Sequence, residues 1–312
     1  MSSILYKLNF QLNRFIPVTT PLAVALGLFF SGVFINLRPF VIVLFAVMTF
    51  SGALKLTASE LGAAVKNPLP ILLFFVTSHI IMPFAALLSS SLIISNPDII
   101  TGFVLMFAGP TAVSGFIWVS IFKGDKALAL TLILLDTMLA PLVVPVTLSV
   151  FIGAKVLMDM SGIVFSLFLM VVVPTIIAVA INEFSKGKIP EFICPAVEPF
   201  AKICLFLVIA ANTSAVASAI SLTDPVSWIT AALCITLTIT GFLIAKLNGV
   251  IGKCSVEKGT SLILAGGLRN NSVVMTIAVT FFPEAAVFPS LLTIIFQQTI
   301  AVVMGKLLIK KS

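Results

Sequence analysis

Apolar stretches of about twenty residues follow one another along this chain, and no other feature limits its fold so severely. Each is long enough to cross the ~30 Å hydrocarbon layer of a bilayer as a helix. In lipid the backbone N–H and C=O groups have no water to bond, and a helix satisfies them within the segment. Sixty per cent of the residues are hydrophobic and only 9% are charged. Soluble domains carry roughly a quarter charged residues. A soluble fold of 312 residues has no means of hiding so much apolar surface. The sequence therefore reads as an all-α membrane protein with almost nothing outside the bilayer.

The pattern predicts ten transmembrane helices, near 17–34, 40–56, 68–92, 98–121, 127–153, 159–182, 199–221, 226–246, 258–281 and 286–308. The start, "MSSILYKLNFQLNRF", lacks a short apolar core followed by a small-residue cleavage site, so no signal peptide is expected. Cys194, Cys204, Cys234 and Cys254 show neither metal-ligand spacing nor a disulfide framework. No metal and no cofactor are expected.

Charge in the loops predicts the orientation. One side carries Lys7, Arg14, Lys55, Lys66, Lys123, Lys126, Lys186, Lys188, Lys202, Lys246, Lys253, Lys258, Lys306, Lys310 and Lys311; the other carries Arg38 and Lys155. Basic short loops stay in the cytoplasm, so both termini are expected inside, in a multi-pass protein of the cell membrane. The net charge of +7 is then a topology signal. Scattered lysines in short loops make no nucleic-acid footprint.

Once the loops are set aside, few ionisable groups remain within the spans. They are Asp136 in "ALTLILLDTMLAPLV", Arg269 in "LILAGGLRNNSVVM" and the single histidine, His79, in "FFVTSHIIMPF". A charge at the centre of a membrane helix costs about 2.5–3.5 kcal/mol on insertion scales, and such residues face a bundle interior or a cavity. Asp136 and Arg269 invite pairing. The pair reads either as a structural tie between the fifth and ninth spans or as part of a substrate or coupling site. His79 reads either as a neutral hydrogen-bonding group or as a source of pH dependence.

Two spans are interrupted. The fourth reads "MFAGPTAVSGFIWV", where Pro110 lacks an amide proton and disfavours helix at Gly109. The ninth holds Gly266-Gly267 and then Arg269-Asn270-Asn271. These are the fourth spans of two five-span halves, and five is odd, so the halves would be inverted. Paired broken helices in inverted halves point to a transporter's midplane site. An intramembrane enzyme would need a nucleophile and base or paired aspartates, and the sequence offers one Asp, one His and no protease motif. A channel is not separable from a carrier by sequence, although inverted broken helices favour the carrier.

The chain resembles the bile acid:sodium symporter family over most of its length. The likeness is clearest in "GPTAVSGFIWVSIFKGDKALALT" and "EKGTSLILAGGLRNNSVVMTIAVTFFPEAAVFPSLLTIIFQQ". It implies two inverted five-helix repeats with crossing broken helices four and nine. It also implies a core (68–156 and 223–312) and a panel of helices one, two, six and seven (1–67 and 157–222) packed beside it. The implied substrate is a small organic anion, a carboxylate such as a bile acid or pantoate. Thr111, Ser114, Asn270, Asn271, Gln297 and Gln298 would bind it.

The chain departs from the family where sodium binds. The family's Glu-x-x-x-Gln-Asn aligns with Ala265, Arg269 and Asn270, and its Thr-x-Ser-Asn with Val113, Gly115 and Phe116; a glutamine of the third helix aligns with Ser78. Hard cations need oxygen ligands. The resemblance therefore implies the architecture, while Arg269 in place of the sodium site implies transport that is not classically sodium-coupled. The alternatives are a sodium-coupled symporter with a rebuilt ion site, or an anion channel or uniporter.

Overall fold

The structure is a computed structural model that describes residues 19–54, 68–153, 159–217 and 223–309. Of the loop charges, Lys7, Arg14, Lys55, Lys66, Lys155, Lys310 and Lys311 lie outside the described residues. The described residues are helical, with one isolated backbone bridge and no strand. Among the described residues seven helices are long and apolar enough to cross a membrane: Ser31–Ala53 (α2), Pro68–Ile93 (α3), Lys126–Phe151 (α6), Met160–Ser185 (α7), Phe192–Ser214 within Lys188–Ser214 (α8), Pro225–Ile251 (α9) and Glu284–Leu308 (α12). Thr19–Phe29 (α1) is a shorter apolar helix. The fourth and ninth apolar stretches are each two pieces, Pro97–Ala108 (α4) with Gly115–Ile121 (α5), and Val256–Gly267 (α10) with Asn271–Phe281 (α11).

The first two spans are divided differently from the pattern expected. The turn falls at Phe30, and one rod then runs from Ser31 to Ala53, taking in Arg38 and Pro39 as 3-10 helix over Ile35–Phe40. Pro39 sits inside the rod where the 3-10 stretch gives way to α-helix at Val41, and the change of hydrogen-bond pattern there accommodates its missing N–H. Between α7 and α8 the reversal is tight. Lys186 and Gly187 both take left-handed backbone (φ 52° and 81°), the second a conformation that glycine adopts without strain.

The chain separates into two compact units, residues 1–58 with 164–219 and residues 59–163 with 220–312. In the first unit α2 packs against α7 and α8, around Phe45, Leu167, Met170 and Val208. Gly27 of α1 meets Ala210 of α8 so closely that a Cβ would lie 2.5 Å from its carbonyl oxygen. The second unit holds α3 to α6 and α9 to α12, with α9 against α10 and α12, and α3 against α4. Phe103, Met82 and Phe242 are fully buried there.

Among the described residues two helices widen by one turn into π geometry, Thr77–Ile81 within α3 and Phe168–Val172 within α7. Each ends two residues before a proline, Pro83 or Pro174. A proline lacks the N–H that would bond four residues back, and its ring presses on that carbonyl. A π turn relieves the conflict. The freed His79 carbonyl accepts a long hydrogen bond from Thr147 Oγ1 at 3.5 Å.

Candidate functional site

The two interrupted helices break against each other. Gly109 takes extended backbone (ψ 154°), as a residue before proline must. It also lets α11 approach: a Cβ there would sit 2.2 Å from Val274 Cγ2. Leu268 is likewise extended (ψ 122°). The exposed backbone groups of one break find partners in the other. Asn270 N–H donates to Pro110 O at 2.8 Å, Ala112 N–H donates to Leu268 O at 3.1 Å, and Thr111 and Arg269 form an antiparallel bridge. Thr111 Oγ1 is shared between Ala265 O (2.5 Å) and Leu268 O (2.9 Å). Unwound backbone is tolerated in a membrane protein only where protein or a watery cavity satisfies it. Here the crossing satisfies itself.

Three charged or titratable side chains converge on this crossing. Asp136 of α6 is fully buried. Its Oδ1 lies 2.7 Å from His79 Nε2, its Oδ2 accepts the Thr111 N–H at 2.7 Å, and Oδ2 is 3.9 Å from Arg269 Nη1. The π turn of α3 brings His79 to this position, with its ring stacked on Phe75 at 5.6 Å. Arg269 is 3% exposed. Asp136 and Arg269 do meet, as the sequence invites, but 3.9 Å is too long for a hydrogen bond. The short contacts of the carboxylate go to His79 and a backbone amide instead. Arg269 Nη2 reaches Gly266 O only at 3.5 Å, and Nε and Nη1 have no hydrogen-bond acceptor. A buried donor without an acceptor costs about 1–3 kcal/mol, more when charged. The guanidinium is thus held by packing and one long bond, with Nε and Nη1 left without a hydrogen-bond acceptor.

The remaining candidates fall into two further groups. Asn271 Nδ2 donates to Gln297 Oε1 at 2.8 Å, joining α11 to α12, and Asn271 Oδ1 is buried without a donor. Gln298 Nε2 donates to Ser114 Oγ at 3.3 Å and Gln298 Oε1 accepts from Trp118 Nε1–H at 2.8 Å, joining α12 to α5. Neither group shares a hydrogen bond with Asp136. Asn270 caps α11, accepting from Val273 N–H at 3.3 Å. Thr111 and Asn270, expected as ligand contacts, therefore brace the crossing in this structure.

Sequence reading missed Trp118, although an indole N–H within a membrane span always needs an acceptor. It also missed Thr77, which donates to Asn248 Oδ1 at 3.0 Å and ties the π turn to α9. Among the described residues no cluster of three His, Cys, Asp or Glu side chains could hold a metal ion. A half-open apolar cleft by Thr19, Phe206 and Ile209 lies in the other unit. Its walls carry none of the charges gathered at the crossing.

Broken helices that meet over a buried cation and carboxylate, within a helical membrane protein, are the construction of a transporter. Residues 41–222, more than half of the chain, match the family model described as the Sodium Bile acid symporter family, and the chain belongs to that family. It is a transporter-family protein, not an enzyme. The uncharacterized protein YbaS of Bacillus subtilis (strain 168) is 37% identical over 293 residues, 94% of this chain and 96% of its own length. The probable sodium/metabolite cotransporter BASS1, chloroplastic, of Arabidopsis thaliana is 23% identical over 267 residues, 85% of this chain and 66% of that one. Sodium/bile acid cotransporter 5 of Rattus norvegicus is 30% identical over 122 residues, 38% and 28% of the two chains.

Proposed function

We propose that this protein is a secondary carrier of a small organic anion in the cell membrane. It would work by alternating access, built from ten helices in two inverted five-helix halves with both termini cytoplasmic. Residues 68–156 and 223–312 form its core and 1–67 and 157–222 its panel. One observation carries the reading: a permanently charged guanidinium, buried at the crossing of two broken helices, keeps Nε and Nη1 free of protein acceptors. A planar fork of donors suits a carboxylate, and Arg stays charged when buried. Asn271, Gln297, Ser114 and Gln298 would exchange their mutual hydrogen bonds for those of the substrate. Thr111 and Asn270 shape the floor of the site from the two breaks.

In this reading Arg269 stands where the family binds sodium, and transport is not classically sodium-coupled. The fixed charge does the ion's electrostatic work, and it would repel a cation from the same place. The names of two relatives favour a second reading, a sodium-coupled symporter of bile acids or metabolites with a rebuilt ion site. Proteoliposomes holding taurocholate or pantoate inside test for a carrier. Saturable uptake that is accelerated by counterflow is the expected result. Unsaturable flux without counterflow would mean a channel.

A further inference from the structure

Asp136 is more tightly engaged by His79 than by its formal partner Arg269, at 2.7 Å against 3.9 Å. With Asp136 ionised, His79 Nε2 must carry the proton that the short contact shares. The neutral ring then presents Nδ1 as a bare lone pair, and Nδ1 is buried with no hydrogen-bond partner. We propose that His79 Nδ1 is the site of a transported proton, and that one proton accompanies each monovalent anion. This inference rests on the anion-carrier reading and supplies its coupling ion.

Charge balance gives the coupling. With the site empty, Arg269 and Asp136 cancel, and a proton on His79 would leave one uncompensated positive charge in a buried place. An anion bound to the free donors of Arg269 alone would leave one negative charge. Proton and anion together restore zero. Each is costly alone because burial in low dielectric penalises net charge, so each raises the affinity for the other. The proton comes from water on one side, bonds to Nδ1 and leaves to water on the other, and Asp136 stays ionised throughout. The Phe75 ring at 5.6 Å offers its face to the resulting imidazolium.

The other charged or titratable groups do not compete for this role. On the helices packed against the 77–81 turn they are Asp98, Lys126, Lys246 and Cys234. Lys126 and Lys246 are exposed, Asp98 is at the start of α4, and the Cys234 thiol contacts Pro289 O. Among the described residues, Arg269, from the break of span nine, is the one other charge facing the pair.

The test uses sodium-free proteoliposomes, taurocholate as the probe and an inside-alkaline pH gradient. Transport of one proton with one monoanion moves no net charge. A gradient of one pH unit should therefore drive about tenfold accumulation, unchanged when a potassium-valinomycin potential is imposed. His79→Gln should abolish the response to the gradient, so that whatever uptake remains is the same with and without it. Uptake that ignores the gradient, or a His79→Gln protein that still follows it, would overturn the proton role and leave the anion-carrier reading intact. If taurocholate does not move at all, that reading fails for this probe and the imidazole itself decides. His79 is the single histidine, so one 15N-histidine signal reports it. An imidazole that takes up a proton as the solution is acidified, and does so more readily in Arg269→Gln, upholds the site. One that stays neutral in both proteins at every pH at which they remain folded overturns it.

Discussion

Two helices of this protein loosen into π geometry for one turn, and both do so two residues before a proline. The backbone cause is the same, and the outcomes differ. In α7 the turn is "FLMVV"; Met170, Val171 and Val172 are buried, and the widened helix adds a bend to an apolar core. In α3 it is "TSHII", where Thr77 reaches Asn248 and His79 reaches Asp136. A proline supplies irregular backbone wherever it falls. The polar side chains held by that irregularity turn one turn into part of a site and leave the other a joint. The two interrupted spans teach the same lesson. The break at Pro110 closes its hydrogen bonds, while the break at Arg269 keeps charged donors open.

The comparison breaks most directly at Asp136. Asp136→Ala removes the acceptor of His79 and of the Thr111 amide and leaves Arg269 as an unpaired buried charge. Loss of one partner of a buried pair costs roughly 3–5 kcal/mol, and a large fall in detergent melting temperature with loss of uptake is expected. The counterpart in the apolar turn, Met170→Leu, keeps its volume and should cost less than about 1.5 kcal/mol, with uptake within twofold. Equal transport defects in the two variants would erase the distinction between site and joint.

Next in size is the coupling between the charges. Arg269→Ala and Asp136→Ala should each destabilise, and the double variant should recover much of the loss without recovering uptake. Melting temperatures of the four proteins in the cycle measure this. Additivity within about 0.5 kcal/mol would mean that 3.9 Å is too far for the charges to matter to each other.

The prolines themselves sharpen the contrast. Pro83→Ala restores a donor to the His79 carbonyl, draws the turn back towards α geometry and swings the imidazole from Asp136. Uptake should fall at least tenfold. Pro174→Ala makes the same backbone change beside apolar side chains, and should shift stability by no more than about 1 kcal/mol with normal uptake. A similar response from both would place the function elsewhere. Thr111→Val comes below these. It keeps the shape of the crossing and loses a hydroxyl bond worth about 0.5–1.5 kcal/mol, and hydrogen exchange at the Asn270 amide should quicken first.

Much of this was legible in the sequence, and the reasons are physical. Apolar length alone marks helices such as α6 and α9, because lipid leaves the backbone no other option. The breaks are visible as Gly109-Pro110 and Gly266-Gly267, since glycine and proline act on their own backbone. The rarity of charge within the spans exposes Asp136, Arg269 and His79. Partner choice was not legible. Whether Asp136 bonds a guanidinium or an imidazole turns on the difference between 2.7 and 3.9 Å, set by a π turn whose only sequence trace is Pro83. The join of the first two spans was misplaced because Arg38 and Pro39 look like a loop, whereas the rod carries both within a 3-10 stretch. Trp118 and Thr77 were passed over because one indole or hydroxyl among apolar neighbours gives no periodic signal.

The central claim is that a fixed buried cation, Arg269, stands in for sodium. The measurement that bears on it most directly is initial-rate uptake of taurocholate or pantoate with sodium replaced by choline at constant ionic strength and pH. The expected rate changes by less than twofold across the replacement, and Arg269→Ala combined with Asp136→Ala folds but does not transport. A steep, saturable requirement for sodium, or normal uptake by that double variant, would contradict the claim.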